Sequence, residues 1–151
     1  MVALDSDVLL LAFAFHRDER QPDNDRFLNN IRTTPHCVTI YSVMEILGQL
    51  SFNLSAERLQ SWPSWLRDEF GLNVLYPDWS VQNAESFFLQ EFVDGPLGKM
   101  VQRVPYLDSL ILNLIEASPG LTVFVTWNAR HFQGKTSLQV VTPAQYIESK
   151  Q

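Results

Sequence analysis

The sequence predicts an α/β domain with a central parallel sheet of four to five strands and helices on both faces. Two observations predict it. Short apolar runs alternate with longer stretches of helical periodicity from one end of the chain to the other, the pattern of a parallel sheet covered on both sides. The chain breakers Pro35, Pro77 and Pro119-Gly120 fall between these segments, where an element ends. The 151 residues suit one domain, spanning 1–151, and there is no internal repeat, low-complexity tract or interdomain linker.

Taken in order, Val2-Ala3-Leu4 is the first strand and stops at Asp5. Ser6 and Asp7 form an N-cap pair before Val8-Leu9-Leu10-Leu11, where a helix begins. Residues 16–21 form a charged loop. Pro22 opens a helix over 22–31, with Asp23 and Asp25 in the first turn, where the helix dipole favours them. Residues 36–40 form a second strand and run into a helix over 41–50, with Val43, Ile46, Leu47 and Leu50 at helical spacing. Residues 55–70 are helical in two pieces, because Pro63 interrupts them. Residues 72–76 form a third strand ended by Pro77. Residues 81–92 form an amphipathic helix, and 94–105 a loop or short helix carrying Lys99 and Arg103. A strong helix covers 106–117. Strands follow at 121–125 and 138–141, separated by a turn with a short helical piece over 127–132. Thr142 caps a terminal helix that opens at Pro143.

Composition narrows the function. Hydrophobic residues make up 46% and charged residues 19%, an ordinary globular balance. A net charge of −6 argues against nucleic-acid binding through bulk positive charge. It leaves open an enzyme whose acidity is gathered at a metal site, since a bound cation inverts the local sign. The lone Cys37 makes no internal disulfide, fits a reducing cytoplasm and reads as a small buried hydrophobe. The N-terminus carries acid where an export signal needs base. The longest apolar run, residues 8–15, is far below the ~20 residues of a membrane span. A cytoplasmic protein is expected, with no membrane partner.

In open parallel sheets, ligands bind beyond the carboxyl ends of the strands. Asp5 ends the first strand, and Thr126, Trp127 and Asn128 end the fourth. Glu45 lies about one turn into the helix after the second. Asp108 precedes Ile111, Leu112 and Ile115 by three, four and seven residues, so it heads the core-facing stripe, opposite Ser109, Asn113 and Glu116. Two readings of Asp108 stand open: a helix-start acid using the dipole, or a buried-side carboxylate that needs a partner or a metal. Taken singly, Glu45 reads as a solvated face residue, Asp5 as a turn former and Asp7 as a helix cap, with contact to a metal as the lesser alternative for Asp7. Together they suggest more. Clustered carboxylates repel, and a hard cation such as Mg²⁺ or Mn²⁺ resolves the repulsion. Three histidines and one cysteine argue against a structural zinc site.

Several segments resemble the PIN-domain family, and in particular its VapC-like ribonuclease toxins. They are Asp5-Ser6-Asp7-Val8-Leu9-Leu10 after an apolar strand, Ser42-Val43-Met44-Glu45-Ile46, Leu107-Asp108-Ser109-Leu110-Ile111, the run from Val123 through Thr126-Trp127-Asn128 to Phe132, and the closing Val140-Val141-Thr142-Pro143. The resemblance covers nearly the whole chain. It implies a Rossmann-like PIN fold with an acidic pocket, Mg²⁺ or Mn²⁺, and endonucleolytic hydrolysis of RNA phosphodiesters by a metal-activated water. It further implies the toxin role in a type II toxin–antitoxin module, a cognate antitoxin and a homodimer. Carried over by motif, Asp5, Glu45 and Asp108 are the expected catalytic metal ligands, with Ser6 as an accessory polar group.

The chain departs from the family in one respect. Many members carry a fourth acid after the last core strand, whereas residues 126–132 here contain none. Thr126 and Asn128 are the accessory candidates, Asn128 through its carbonyl oxygen. Lys99 and Arg103, four apart, are expected to share a helical face as an RNA-backbone strip, with Arg130 and Lys135 as additions. His131 reads first as a structural turn residue. Trp62, Trp65 and Trp79 read as core or as a dimer or antitoxin surface. Two other functions compete: a weakly active PIN-fold binding module acting through a protein partner, and a haloacid-dehalogenase-like phosphatase. The latter is suggested by Asp5-Ser6-Asp7 and Val125-Thr126, but it lacks a matching lysine and late acids.

Overall fold

A computed structural model describes residues 1–15, 17–80 and 83–150. Its core is a five-stranded, all-parallel sheet in the order β3-β2-β1-β4-β5, formed by β1 (Val2–Leu4), β2 (His36–Thr39), β3 (Asn73–Leu75), β4 (Val123–Val125) and β5 (Gln139–Val141). Register aligns Leu4 with Val38 on one side and Val125 on the other, so the central strands end level. β1 leads to β2 and β3 on one side, while β4 and β5 lie on the other. The order therefore switches between β1 and β4, and Asp5 and Thr126 lie just past that point.

The two faces follow from strand alternation. Val2, Leu4, Val38 and Val125 pack under α1 (Ser6–Ala14), α2 (Gln21–Ile31), α3 (Ile40–Leu50) and α10 (Pro143–Glu148). Ala3, Cys37, Phe124 and Val140 face the other way, onto Ile111, Leu112 and Ile115 of α8 (Tyr106–Ala117) and Phe132 of α9 (Ala129–Phe132). Both faces are covered, as the apolar strands require.

Most elements fall where expected, and the departures have local causes. Residues 55–70 do form two helices, α4 (Ala56–Gln60) and α5 (Trp62–Phe70), but the break is at Ser61. Pro63 instead sits in the first turn of α5, where its missing N–H is harmless. Trp62 and Trp65 pack against the core, Trp65 edge-on to Phe13 at 4.8 Å, while Trp79 is exposed. The expected helix over 81–92 begins on Val81 and Gln82, outside the described residues. Beyond them lie α6 (Ala84–Leu89), a π-helical turn (Gln90–Asp94) and α7 (Gly95–Met100). A Cβ on Gly95 would stand 2.8 Å from both Gln90 O and Asn113 Nδ2, so only glycine fits where this wider turn meets α8.

Candidate active site

Backbone pairing fixes Asp5 at the sheet edge: its N–H donates to Val125 O at 3.0 Å, and Thr126 N–H donates to Val141 O at 3.1 Å. Ser6 and Asp7 were the expected cap pair, but Asp5 itself occupies the cap position of α1. Its Oδ1 accepts from Ser6 N–H at 2.8 Å. Ser6 is thereby turned toward α3, where its hydroxyl donates to Glu45 Oε2 at 2.6 Å; the 3.5 Å to Asp5 Oδ1 is long by comparison. One buried hydroxyl thus spans the first two acids. Thr39 caps α3 by accepting from Ser42 N–H at 3.0 Å, which starts the helix at a point that leaves Glu45 one turn in.

Asp7 does not cap the helix. Its Oδ2 accepts from Thr126 Oγ1 at 3.0 Å and from Asn128 N–H at 3.2 Å, tying α1 to the turn after β4. Thr126 is fully buried and also accepts from Asn128 N–H. Asn128 contributes its backbone to this knot and leaves its side chain exposed. The signal for Asp7 was the Asp-x-Asp spacing itself, but a first-turn acid looks the same whether it caps or reaches across the sheet.

Asp108 stands in the first turn of α8, a quarter exposed. His131 on α9 approaches it, Nε2 to Oδ2 at 3.8 Å. The expected structural role of His131 therefore misses its place beside the acids. Ser109, expected on the polar stripe, is fully buried and donates to Pro105 O at 2.8 Å.

Titration behaviour reports the proximity of these acids. Burial, then the charge of Asp7 and more weakly that of Asp108, hold Asp5 well above its ordinary 3.8. Burial also raises Asp7, against the backbone N–H groups and the Thr126 hydroxyl that it accepts from. Burial and the charge of Glu45 raise Asp108, opposed by His131 and Lys135. Strands β1 and β4 and helices α1, α3 and α8 therefore bring Asp5, Asp7, Glu45 and Asp108 into one anionic neighbourhood. Among the described residues, no Arg or Lys forms an ion pair with any of the four.

The proposed RNA strip divides. α7 ends at Met100, and Arg103 lies beyond it in a left-handed conformation with φ of 61°, so Lys99 and Arg103 do not share a helical face. Lys99 is turned inward. Its ammonium donates to Glu116 Oε1 at 2.7 Å and to Lys135 O at 3.1 Å, which removes it from any exposed strip. Lys135 donates to Arg103 O at 3.2 Å. Arg103 and Arg130 are exposed.

As placed, no three Asp, Glu, His or Cys side chains among the described residues close on a point as an ion would require. The donor chemistry nonetheless fits a hard divalent cation. Four carboxylates repel one another, and two buried polar atoms at the cluster, Asp7 Oδ1 and His131 Nε2, have no hydrogen-bond partner.

No family model matches the chain, and no curated protein matches it. Solved structures do. The chain resembles, over 94% of its length and 98% of theirs, a chain of VapBC2 from Rickettsia felis bound to a DNA fragment from their promoter, with a TM-score of 0.62 and 18% identity. VapBC-1 from nontypeable Haemophilus influenzae matches with a TM-score of 0.61 and 15% identity over 95% of this chain and 98% of that one. FitAcB from Neisseria gonorrhoeae matches with 0.61 and 12% over the same shares. The chain therefore has the PIN fold that the sequence resemblance implies. Among the described residues, no helix is long and apolar enough to cross a membrane.

Proposed function

We propose that this protein is a divalent-metal-dependent endoribonuclease, the toxin of a toxin–antitoxin module. The observation that carries the reading is the convergence at one sheet edge of Asp5, Glu45 and Asp108, from segments far apart in the chain, with no Arg or Lys ion pair to any of them among the described residues. Asp5, Glu45 and Asp108 are the residues that would hold Mg²⁺ or Mn²⁺. Such a cation, when bound, acidifies a water and offsets charge on a phosphodiester. The remaining groups serve these three. Ser6 aims the Glu45 carboxylate, Asp7 and Thr126 hold the turn after β4, and the exposed Arg103 and Arg130 are the groups that would meet the RNA backbone. The VapBC and FitAcB likenesses support an antitoxin partner.

A homodimer is supported by Leu89, Val93, Leu97 and Val101, which recur every four residues and are 43%, 41%, 55% and 78% exposed. Sedimentation equilibrium should show a dimer that Val101→Asp weakens. The binding-module reading draws on the absence of an acid from residues 126–132. The phosphatase reading loses support, because among the described residues no lysine pairs with Asp5 or Asp7.

Purified protein with Mn²⁺ should cleave structured RNA, and EDTA or Asp5→Asn should abolish cleavage. Equal cleavage by wild type and Asp5→Asn would assign the activity to a contaminant and favour the binding module.

A further inference from the structure

We propose that His36 is a buried imidazolium that clamps the end of α5 to the sheet, and that loss of its proton releases the clamp. His36 opens β2, and strand alternation puts it on the same sheet face as Val38, where it is only 4% exposed. Its two ring nitrogens each meet a backbone carbonyl: Nδ1 lies 2.7 Å from Thr34 O, and Nε2 lies 2.8 Å from Phe70 O. A carbonyl oxygen only accepts, so each nitrogen must bring a hydrogen. Neutral imidazole has a single N–H and would set a bare lone pair against the second oxygen. Only the imidazolium donates to both.

The surroundings favour that charge. Phe70 is the last residue of α5, a nine-residue helix that Gly71 closes in a left-handed conformation. Its carbonyl is one of those that a helix leaves unpaired, at the end of the dipole that attracts a cation. The charged groups on the flanking elements are the Met1 ammonium beside β1, Arg32 before the turn at Thr34, and Arg67, Asp68 and Glu69 of α5; all are exposed, and β3 carries none. Among the described residues, no acid forms an ion pair with the ring. The two carbonyls are therefore what holds the charge. The clamp matters because α5 is packed through few groups. Trp65 and Phe70 meet Phe13 of α1 edge-on at 4.8 and 5.0 Å, and Leu66 is the one buried residue of the helix. Proton loss turns one of the two bonds into a repulsion and frees α5 to part from β2 and α1.

The test is ring-nitrogen magnetic resonance on the isotope-labelled protein across a pH series, with amide hydrogen exchange of wild type and His36→Gln. At the acidic end of the folded range, both His36 nitrogens should carry the chemical shift of N–H. The Gly71 and Leu72 amides, which donate to Arg67 O and Leu66 O, report on the end of α5. As pH rises and the ring loses a proton, their protection, corrected for intrinsic exchange, should fall at least about tenfold while β4 stays protected. His36→Gln should show the lower protection at every pH. A His36 ring with one bare nitrogen at every pH at which the protein folds would overturn the assignment, whether or not His36→Gln folds. Protection at Gly71 and Leu72 that holds steady up to the alkaline limit of folding would overturn the release.

Discussion

Helix α8 carries two carboxylates at opposite ends, and they have opposite circumstances. Glu116, near its C-terminus, is satisfied. Its Oε1 accepts from Lys99 Nζ at 2.7 Å, Thr136 Oγ1 at 2.5 Å and Ser137 N–H at 3.3 Å. Burial raises it, but these donors outweigh burial and leave it below its ordinary 4.5. Asp108, two turns earlier, is pushed up by burial and by Glu45, and its nearest cationic group is a histidine at 3.8 Å. The same helix thus holds one acid that three donors satisfy and one that His131 and Lys135 offset only in part. An acid that finds donors serves stability, whereas a shifted acid without them is a candidate for a functional site.

The largest expected effect breaks the pair by function. Asp108→Asn should lower Mn²⁺-dependent RNA cleavage by about a hundredfold or more while the protein stays folded, and Glu116→Gln should leave cleavage per folded molecule unchanged. Parallel cleavage assays and circular dichroism decide between them; equal losses in both variants would erase the distinction. Next in size is stability. Glu116→Gln weakens charge-assisted bonds in a partly exposed network and should cost about 1 kcal/mol in urea unfolding, whereas Asp108→Asn without metal should be neutral or stabilising.

The third effect is on pH. Asp5, Asp7 and Asp108 have raised values in the folded state, so folding favours their protonated forms. In EDTA the melting temperature should therefore rise as pH falls from neutral toward about 4.5. Below that, Glu116 acts in the opposite sense as its carboxylate is lost. With Mn²⁺ present the slope should reverse, because protons then compete with the ion. The smallest effect concerns the basic residues. Arg103→Ala should weaken RNA binding a few-fold at low salt and reduce its salt dependence, whereas Lys99→Met should change stability rather than binding.

The sheet, the place of Asp5 at its edge and that of Asp108 at the head of α8 were legible because their signals are local, whereas grouping them with Glu45 came from the family resemblance. Apolar runs, Pro boundaries and the helical spacing from Asp108 to Ile115 each lie within a dozen residues. What stayed hidden depends on distant partners. Asp7 reads as a cap by its position, yet its oxygens answer to Thr126 and Asn128, more than a hundred residues away. Lys99 reads as a free surface cation until α8 brings Glu116 to it. His131 gains its place beside Asp108 only when α9 folds under β4. The left-handed Arg103 and the π-helical turn at Gln90–Asp94 leave no trace in hydrophobic periodicity.

The central claim is that these carboxylates are destabilising until a divalent cation joins them. Thermal melting of wild type and Asp5→Asn at neutral pH, in EDTA and in millimolar Mn²⁺, tests it directly. The account predicts that Mn²⁺ raises the melting temperature of wild type, that Asp5→Asn responds weakly or not at all, and that Asp5→Asn melts no lower than wild type in EDTA. A wild-type melting curve indifferent to Mn²⁺, or an equal rise in both proteins, would contradict it.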